Sequence, residues 1–411
     1  MAQKTTDRHH DTTMIADLAR ELARQVDGEV HFDPATQAMY SYDASHYRHV
    51  PIGYVAPRNV GALEAAVAVC RRHDAAVLMR GGGTSLAGQG CNRAVVIDTT
   101  RHLHRLLALD PAGRTARLEP GIVLDDLQAA ARPHGLCFGP DPSTHGWCTL
   151  GGMIANNAAG AHSLMAGKTV DNVHALRVLT YDGHTLDAGP TDEPTLERLS
   201  GRPDRVSTIY GALRALRDRY AGLIRKRYPQ IPRRVSGYNL DELLPERGFD
   251  LARALVGTEG TCAIVTEATV RLVPTPPHRV LVILGYPSLG AAGDAVPRLL
   301  EYTPIALEGM GRRIIDNMRA KGLEATGLEL LPPGEAWLFV ELGGDRPDEA
   351  AGRAHELTGD IAGRPGGAPH VVLADPAQAQ HIWLAREAGL GASGRLADGR
   401  DTEAGWEDAA V

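Results

Sequence analysis

The densest chemistry in the sequence is the run Arg80-Gly81-Gly82-Gly83-Thr84-Ser85-Leu86-Ala87-Gly88-Gln89-Gly90. Three successive glycines let neighbouring backbone N–H groups turn towards one point, with no Cβ atom to hold an anion away. Thr84, Ser85 and Gln89 add side-chain donors, and Arg80 adds a positive charge. The chemistry that fits is the grip of a pyrophosphate. Alone, the same run also suits a tight surface turn. Two better-known phosphate loops fail on spacing. G-x-G-x-x-G does not fit, because Leu86 stands where the third glycine belongs. Gly167-Lys168-Thr169 ends like a P-loop, but the required first glycine is His162.

Three further loops share this character. Gly139-Pro140-Asp141-Pro142-Ser143-Thr144 is stiffened by two prolines, and its Asp, Ser and Thr can bond nearby backbone. Thr149-Leu150-Gly151-Gly152-Met153-Ile154-Ala155-Asn156-Asn157-Ala158-Ala159-Gly160 suggests close approach to a flat ligand at a helix start. Gly257-Thr258-Glu259-Gly260-Thr261 lies between two apolar stretches. Each is weak by itself. Together, with apolar walls, they point to a large ligand carrying both a phosphate and a ring system.

The elements that must hold these loops follow from periodicity. Met14, Leu18, Leu22 and Val26 share one helical face after a Thr/Asp cluster. GALEAAVAVCRRH reads as a helix, and AAVLMR (75–80) and AVVIDTT (94–100) as strands flanking the glycine run. TARLEPGIVL (115–124) alternates like a strand and leads into a helix. Residues 174–189 read as a hairpin with Asp182-Gly183 at its turn, and 209–228 as an amphipathic helix. Residues 251–274 read as two strands joined by a glycine turn. PTPPH (274–278) is the clearest linker. Beyond it, strands and helices alternate as two β-α-β halves, which predicts a small antiparallel sheet with helices on one face.

Composition narrows the classes. The chain has 411 residues, 43% hydrophobic and 23% charged, which is a packed globular composition long enough for two or three units. The net charge of -7 argues against a general nucleic-acid binder. Five cysteines, an odd number with no C-x-x-C pair, exclude a disulfide scaffold, a zinc ribbon and a self-contained iron–sulfur site, and fit a reducing compartment. The N-terminus has no apolar signal core, and no apolar run reaches the roughly 18 residues of a membrane helix. A cytoplasmic protein is expected, with room for peripheral docking on the inner face of a membrane.

The four loops in this order resemble the FAD-binding domain of the vanillyl-alcohol oxidase family, the PCMH-type FAD-linked oxidases. RGGGTSLAGQG, GPDPST, TLGGMIANNAAG and GTEGTCAIVTEATVRLVP carry the likeness. It is strongest to the D-2-hydroxyacid dehydrogenase branch, which holds D-lactate dehydrogenases, D-2-hydroxyglutarate dehydrogenases and the FAD subunit of glycolate oxidase. The resemblance implies an α+β fold. Residues 50–275 would form a PCMH-type FAD-binding domain of two α+β subdomains. Residues 276–411 would form a partial ferredoxin-like cap, and 1–49 an N-terminal helical segment. It further implies that Arg80, Gly81, Gly82, Gly83, Thr84, Ser85 and Gln89 bind the FAD pyrophosphate. Pro140, Asp141, Ser143 and Thr144 would lie by the phosphate and flavin edge, and Gly151, Gly152, Asn156 and Gly160 along the cofactor. Glu259 and Ile264 would lie at its rim. Thr84 and Ser85 stand where some relatives attach FAD through a histidine, so the FAD is expected to be non-covalent.

The activity implied is oxidation of a D-2-hydroxy acid, with a hydride passing to the flavin and a base taking the hydroxyl proton. Arg386, in Trp383-Leu384-Ala385-Arg386-Glu387, resembles the family's W-x-x-R-E segment and would hold the substrate carboxylate. Tyr238 and Asn239, after Arg233-Arg234, would orient the hydroxy acid, and Glu308 matches a position at the cap interface. Electrons would go to a quinone, a cytochrome, an electron-transfer flavoprotein or an iron–sulfur protein, not to NAD. The branch's H-x-G-D-G-N-x-H cluster, which supplies the base and a divalent metal, is missing. Residues 389–411 read like the interior of a longer protein. The sequence therefore predicts a truncated chain, with a metal or iron–sulfur cluster only where further C-terminal sequence is present. A cofactor-holding subunit without its own turnover, and another alcohol oxidase or reductase of the same fold, are the alternatives.

Overall fold

The computed structural model describes residues 12–323, 326–363 and 367–402. The helix Thr12–Gln25 turns Leu18 and Leu22 onto one face, where they share a core with Leu63, Ala66 and Val67 of the helix Val60–Arg72. Asn59 starts that second helix by accepting from the Ala62 N–H at 2.9 Å. Both helices belong with a four-stranded sheet of β1 (Gly28–His31), β2 (Gly53–Pro57), β3 (Val77–Arg80) and β4 (Val95–Asp98), in the order β1-β2-β4-β3. β2 and β3 run parallel to β4, and β1 is antiparallel to β2. The expected separate segment 1–49 is thereby corrected: its described part supplies an edge strand and a covering helix to the first subdomain. The Thr/Asp cluster before the helix lies largely outside the described residues.

The second subdomain is a five-stranded antiparallel sheet. It uses β5 (Leu106–Asp110), β6 (Thr115–Leu118), β8 (Val173–Leu179), β9 (Thr185–Ala188) and β10 (Ile264–Arg271), in the order β5-β6-β10-β8-β9. A two-stranded ribbon of β7 (Leu136–Cys137) and β11 (Val273–Pro274) stands beside it. β10 buries Ile264, Thr266, Ala268 and Val270 on alternate positions, which is a sheet with one packed face. The core joins the helices Leu124–Ala131 and Leu150–Asn156 to this face. Two expectations need correction. The strand over 115–124 stops at Leu118, ahead of Pro120-Gly121. The stretch 251–274 is not two strands: Asp250 accepts from the Arg253 N–H at 3.1 Å and starts the short helix Leu251–Leu255, so the first strand of that pair is a helical turn.

The cap sheet consists of β12 (His278–Tyr286), β13 (Ala306–Gly311), β14 (Ala336–Gly344) and β15 (His370–Leu373), in the order β13-β14-β12-β15 with all neighbours antiparallel. This is the expected ferredoxin-like arrangement. The helices, however, cover both faces and not one. Val280, Val282 and Leu284 pack with Leu299 and Leu357, from the helices Leu289–Leu300 and Pro347–Ala362. Leu281 and Ile283 pack with Ile315 and Ile382, from the helices Arg312–Ala320 and Pro376–Ser393. The reason lies in β12, which is buried at every position from Val280 to Leu284 and so needs cover on both sides.

Candidate cofactor site and cap interface

β3 delivers the chain into the glycine run at Arg80. The Arg80 guanidinium folds under the loop and donates to the Gly90 carbonyl, while Asp43 accepts from the Gly90 N–H at 3.0 Å. Arg80 therefore staples the two ends of the loop together. Gly83 has φ +68°, and a Cβ there would lie 2.1 Å from the guanidinium. A Cβ on Gly81 would meet Thr149 Oγ1 at 2.3 Å, and one on Gly82 would meet the Trp147 carbonyl oxygen at 2.0 Å. Gly81 and Gly82 are thus required by close packing on residues 147–149, and Gly83 by its positive φ and the Arg80 side chain beneath it. Among the described residues, no N–H from Gly82 to Ala87 is taken by a backbone carbonyl. Those donors stay available.

They line a cavity of about 790 Å³. Its walls are the glycine run, Pro142, Thr144, Thr149, Gly152 and Met153 of the next two loops, Asn156, Glu259 to Thr261, and Ile264. A narrower pocket of about 80 Å³, lined by Gly151, Thr258 and Val265, shares Arg80, Gly81, Thr149, Gly152 and Ile264 with it. Glu259, at φ +53°, donates its N–H to the Ala155 carbonyl at 2.9 Å, and its carboxylate accepts from Gln89 Nε2 at 3.3 Å. This bond joins the first loop to the fourth across the cavity. Gln89 Oε1 and Asn156 Oδ1 are buried without a partner. An unmet buried acceptor costs about 1–3 kcal/mol, so both are placed to accept from a ligand.

The expected residues divide accordingly. Arg80, Gly81, Gly82, Gly83, Thr84, Ser85, Gln89, Thr144, Gly152, Asn156, Glu259 and Ile264 line the larger cavity, and Gly151 lines the smaller one. Pro140, Asp141, Ser143 and Gly160 line neither. Gly160 packs on the Asp141 backbone, where a Cβ would come within 2.2 Å. Asn239 is buried, donates to the Val256 carbonyl at 2.8 Å and accepts from Arg234 at 3.2 Å. Both ends of its amide are committed to the protein, and it lines neither cavity. Tyr238 is exposed, with its hydroxyl 2.7 Å from Thr261 Oγ1 at the cavity wall. Sequence reasoning missed His46 and Tyr47, which reach the wall from a segment assigned elsewhere. It also passed over Thr149, whose hydroxyl accepts from the Gly152 N–H at 3.2 Å while supporting Gly81.

The cap meets the cofactor domain through charged side chains at His162 and His145. Arg386 and Glu308, expected separately, meet: Nη2 and Nε donate to Glu308 Oε2 at 2.8 and 3.2 Å. His162 touches Asp141 on one side and Glu341 Oε2, 2.6 Å away, on the other. Burial alone would lower the His162 pKa, but bonds to Asp141 and Glu341 outweigh it and hold the ring up at about 10. Burial would raise Glu341, yet the His162 contact holds its carboxyl below the ordinary value. Among the described residues no group of three or more His, Cys, Asp or Glu could hold a metal ion.

Residues 51–189 match the FAD binding domain, and residues 275–411 match the C-terminal domain of FAD linked oxidases. The chain belongs to the FAD-linked oxidase family. This FAD-linked oxidase is 33% identical over 292 residues to D-2-hydroxyglutarate dehydrogenase of Pseudomonas putida, an alignment covering 70% of this chain and 29% of the relative. It is 29% identical to glycolate oxidase subunit GlcD of Bacillus subtilis, covering 72% of this chain and 53% of the relative. It is 27% identical to D-lactate dehydrogenase of Archaeoglobus fulgidus, covering 74% and 57%. The D-2-hydroxyacid branch of the FAD-linked oxidases is therefore the one it falls in. The chain spans about a third of the length of the D-2-hydroxyglutarate dehydrogenases it matches. An alkyldihydroxyacetonephosphate synthase shares the fold, with a TM-score of 0.63 at 16% identity over 90% of this chain and 64% of that one.

Proposed function

We propose that this FAD-linked oxidase holds FAD non-covalently in the 790 Å³ cavity and serves the oxidation of a D-2-hydroxy acid to its 2-oxo acid. The observation that carries the reading is the convergence of four loops on one cavity whose buried acceptors, Gln89 Oε1 and Asn156 Oδ1, are unmet. The free N–H groups of residues 82–87 suit a diphosphate, and the apolar wall of Met153, Ala155 and Ile264 suits a ring system. FAD, when bound, supplies the hydride acceptor. Arg386 then holds the substrate carboxylate, with Glu308 fixing the plane of its guanidinium. Lactate, glycolate and 2-hydroxyglutarate are the substrates to distinguish. The acceptor is a quinone, a cytochrome, an electron-transfer flavoprotein or an iron–sulfur protein.

Two observations bear on where the protein works. All five cysteines are free, which suits a reducing cytoplasm. No described helix is long and apolar enough to cross a membrane. The helix Arg205–Arg227 nevertheless sets Arg219, Leu223, Lys226 and Arg227 on one exposed face. That mixture of cations with an exposed leucine supports peripheral contact with an anionic bilayer. The experiment for the main reading is a visible spectrum of the purified protein, followed by anaerobic addition of each hydroxy acid. Flavin bands that bleach with one acid support it. A colourless protein that takes up no FAD overturns it. Flavin that photoreduces but never bleaches with substrate makes the chain a cofactor-holding subunit.

A further inference from the structure

Two histidines stand where the cofactor domain meets the cap, and the chemistry above uses neither. The His162 backbone N–H donates to Asp141 Oδ1 at 2.8 Å, and its Nδ1 bonds the second oxygen of the same carboxylate. Its Nε2 lies 2.6 Å from Glu341 Oε2 on β14. The other oxygen of Glu341 accepts from Trp383 Nε1 at 3.3 Å. Trp383 stands one helical turn before Arg386. Glu308, which holds Arg386, lies on β13 two positions from Ala306, the cross-strand partner of Glu341. A contact path thus runs from Asp141 through His162, Glu341 and Trp383 to the helix that carries Arg386. His145 repeats the pattern, with Nδ1 2.7 Å from Asp125 Oδ1 and Nε2 3.3 Å from Glu387 Oε1, next to Arg386.

We propose that His162 is a positioning residue: by bridging Asp141 of the cofactor domain to Glu341 of the cap, it fixes the helix that carries Arg386 against the cofactor domain. The proposal rests on Arg386 being the carboxylate receptor argued above. His162 is not a base, because both ring nitrogens are occupied by carboxylates. The charged groups against the ring are Asp141, Glu341 and Arg279, whose Nη1 lies 3.4 Å from both His162 Nε2 and Glu341 Oε2. The Trp383 ring lies 6.2 Å away. Two carboxylates on one imidazole require a proton on each nitrogen, since a neutral ring would turn a lone pair on one of them. The raised folded-state value of about 10 agrees. The sign follows: a pKa above its ordinary 6.5 gives docking that is complete below about pH 6.5 and is lost as pH rises through about 10.

The test is hydrogen exchange of the FAD-loaded protein, read on the helix Pro376–Ser393, with steady-state kinetics on D-lactate and an artificial dye acceptor. In H162Q the helix should exchange at least tenfold faster and KM should rise about tenfold, with kcat within twofold, because binding geometry is lost and the flavin step is not. H162K, which keeps a charge, should recover part of both. H162Q/E341Q should be no worse than either single change, because the two act through one contact. In the wild type, exchange corrected for its intrinsic rate should accelerate in this helix between pH 7 and 9. Unchanged exchange and KM in H162Q, or single effects that add in full, overturn the proposal. If the wild type shows no turnover, the functional reading fails while the exchange comparison still decides the bridge. Should H162Q not fold, the double variant and the wild-type pH series decide it.

Discussion

At the residue scale the cavity turns on atoms left without partners. Asn156 Oδ1 is buried and unmet, so the side chain gains nothing from that oxygen until a donor arrives. N156L should therefore leave the melting temperature of the apoprotein unchanged or higher. It should also weaken FAD by about 1–3 kcal/mol, the usual worth of a bond to a buried acceptor. Apo and FAD-loaded thermal melts, with a flavin fluorescence titration, separate the two effects. Gly82 presents the opposite case. A Cβ there would sit 2.0 Å from the Trp147 carbonyl, a backbone atom that cannot swing aside, so G82A must displace one of the two loops. Its protein should purify pale, with FAD affinity at least tenfold lower. G146A is the control, since its Cβ would come no closer than 3.4 Å to Asp125. Arg386 makes its bonds to Glu308 through two different nitrogens, a fork that lysine lacks. R386K should raise KM for the hydroxy acid by more than tenfold, as steady-state assays would show.

At the scale of elements, most of the architecture was legible because periodicity and capping agreed. The helices Thr12–Gln25, Val60–Arg72 and Arg205–Arg227 and the hairpin of β8 and β9 stand where their patterns put them. The glycine loops were legible as loops, but not the reason for each glycine. Gly81 and Gly82 answer to a second loop some 65 residues away, and such a long-range contact leaves no local trace. The misreadings have local origins. Leu251–Leu255 is a single turn of helix, too short for its period to be counted against a strand. The two-sided cover of the cap sheet was present in the unbroken apolar run of β12, which alternation-minded reading took as one face. Ile283 sits at the centre of that run with 0% exposure. I283A should cost about 2–5 kcal/mol of cap stability, as large-to-small changes in packed cores do. V372A on β15, where Val372 is 45% exposed, should cost far less, and urea unfolding would read the difference.

At the scale of the whole molecule, the charge is uneven in a way the total conceals. The chain carries -7 overall, yet residues 214–234 hold eight Arg or Lys against the one acidic Asp218. Some of these cations are used internally: Arg217 with Glu193, Arg225 with Glu246, and Arg234 with Asp241. Among the described residues Arg219, Lys226 and Arg227 have no ion pair, and they share an exposed helix face with Leu223, which is 53% exposed. Cations around an exposed leucine are what the proposed contact with an anionic headgroup layer would use. Each cation near an anionic surface contributes about 1 kcal/mol, so under that proposal three of them with one leucine would give weak, salt-sensitive binding and not stable anchoring. The protein should therefore co-sediment with vesicles containing phosphatidylglycerol at low salt, and not with pure phosphatidylcholine vesicles. Reversing Arg219 and Lys226 to Glu should abolish the binding, and L223S should weaken it at every salt concentration. Equal sedimentation with both vesicle types, or none with either, would overturn the proposed membrane contact of this helix.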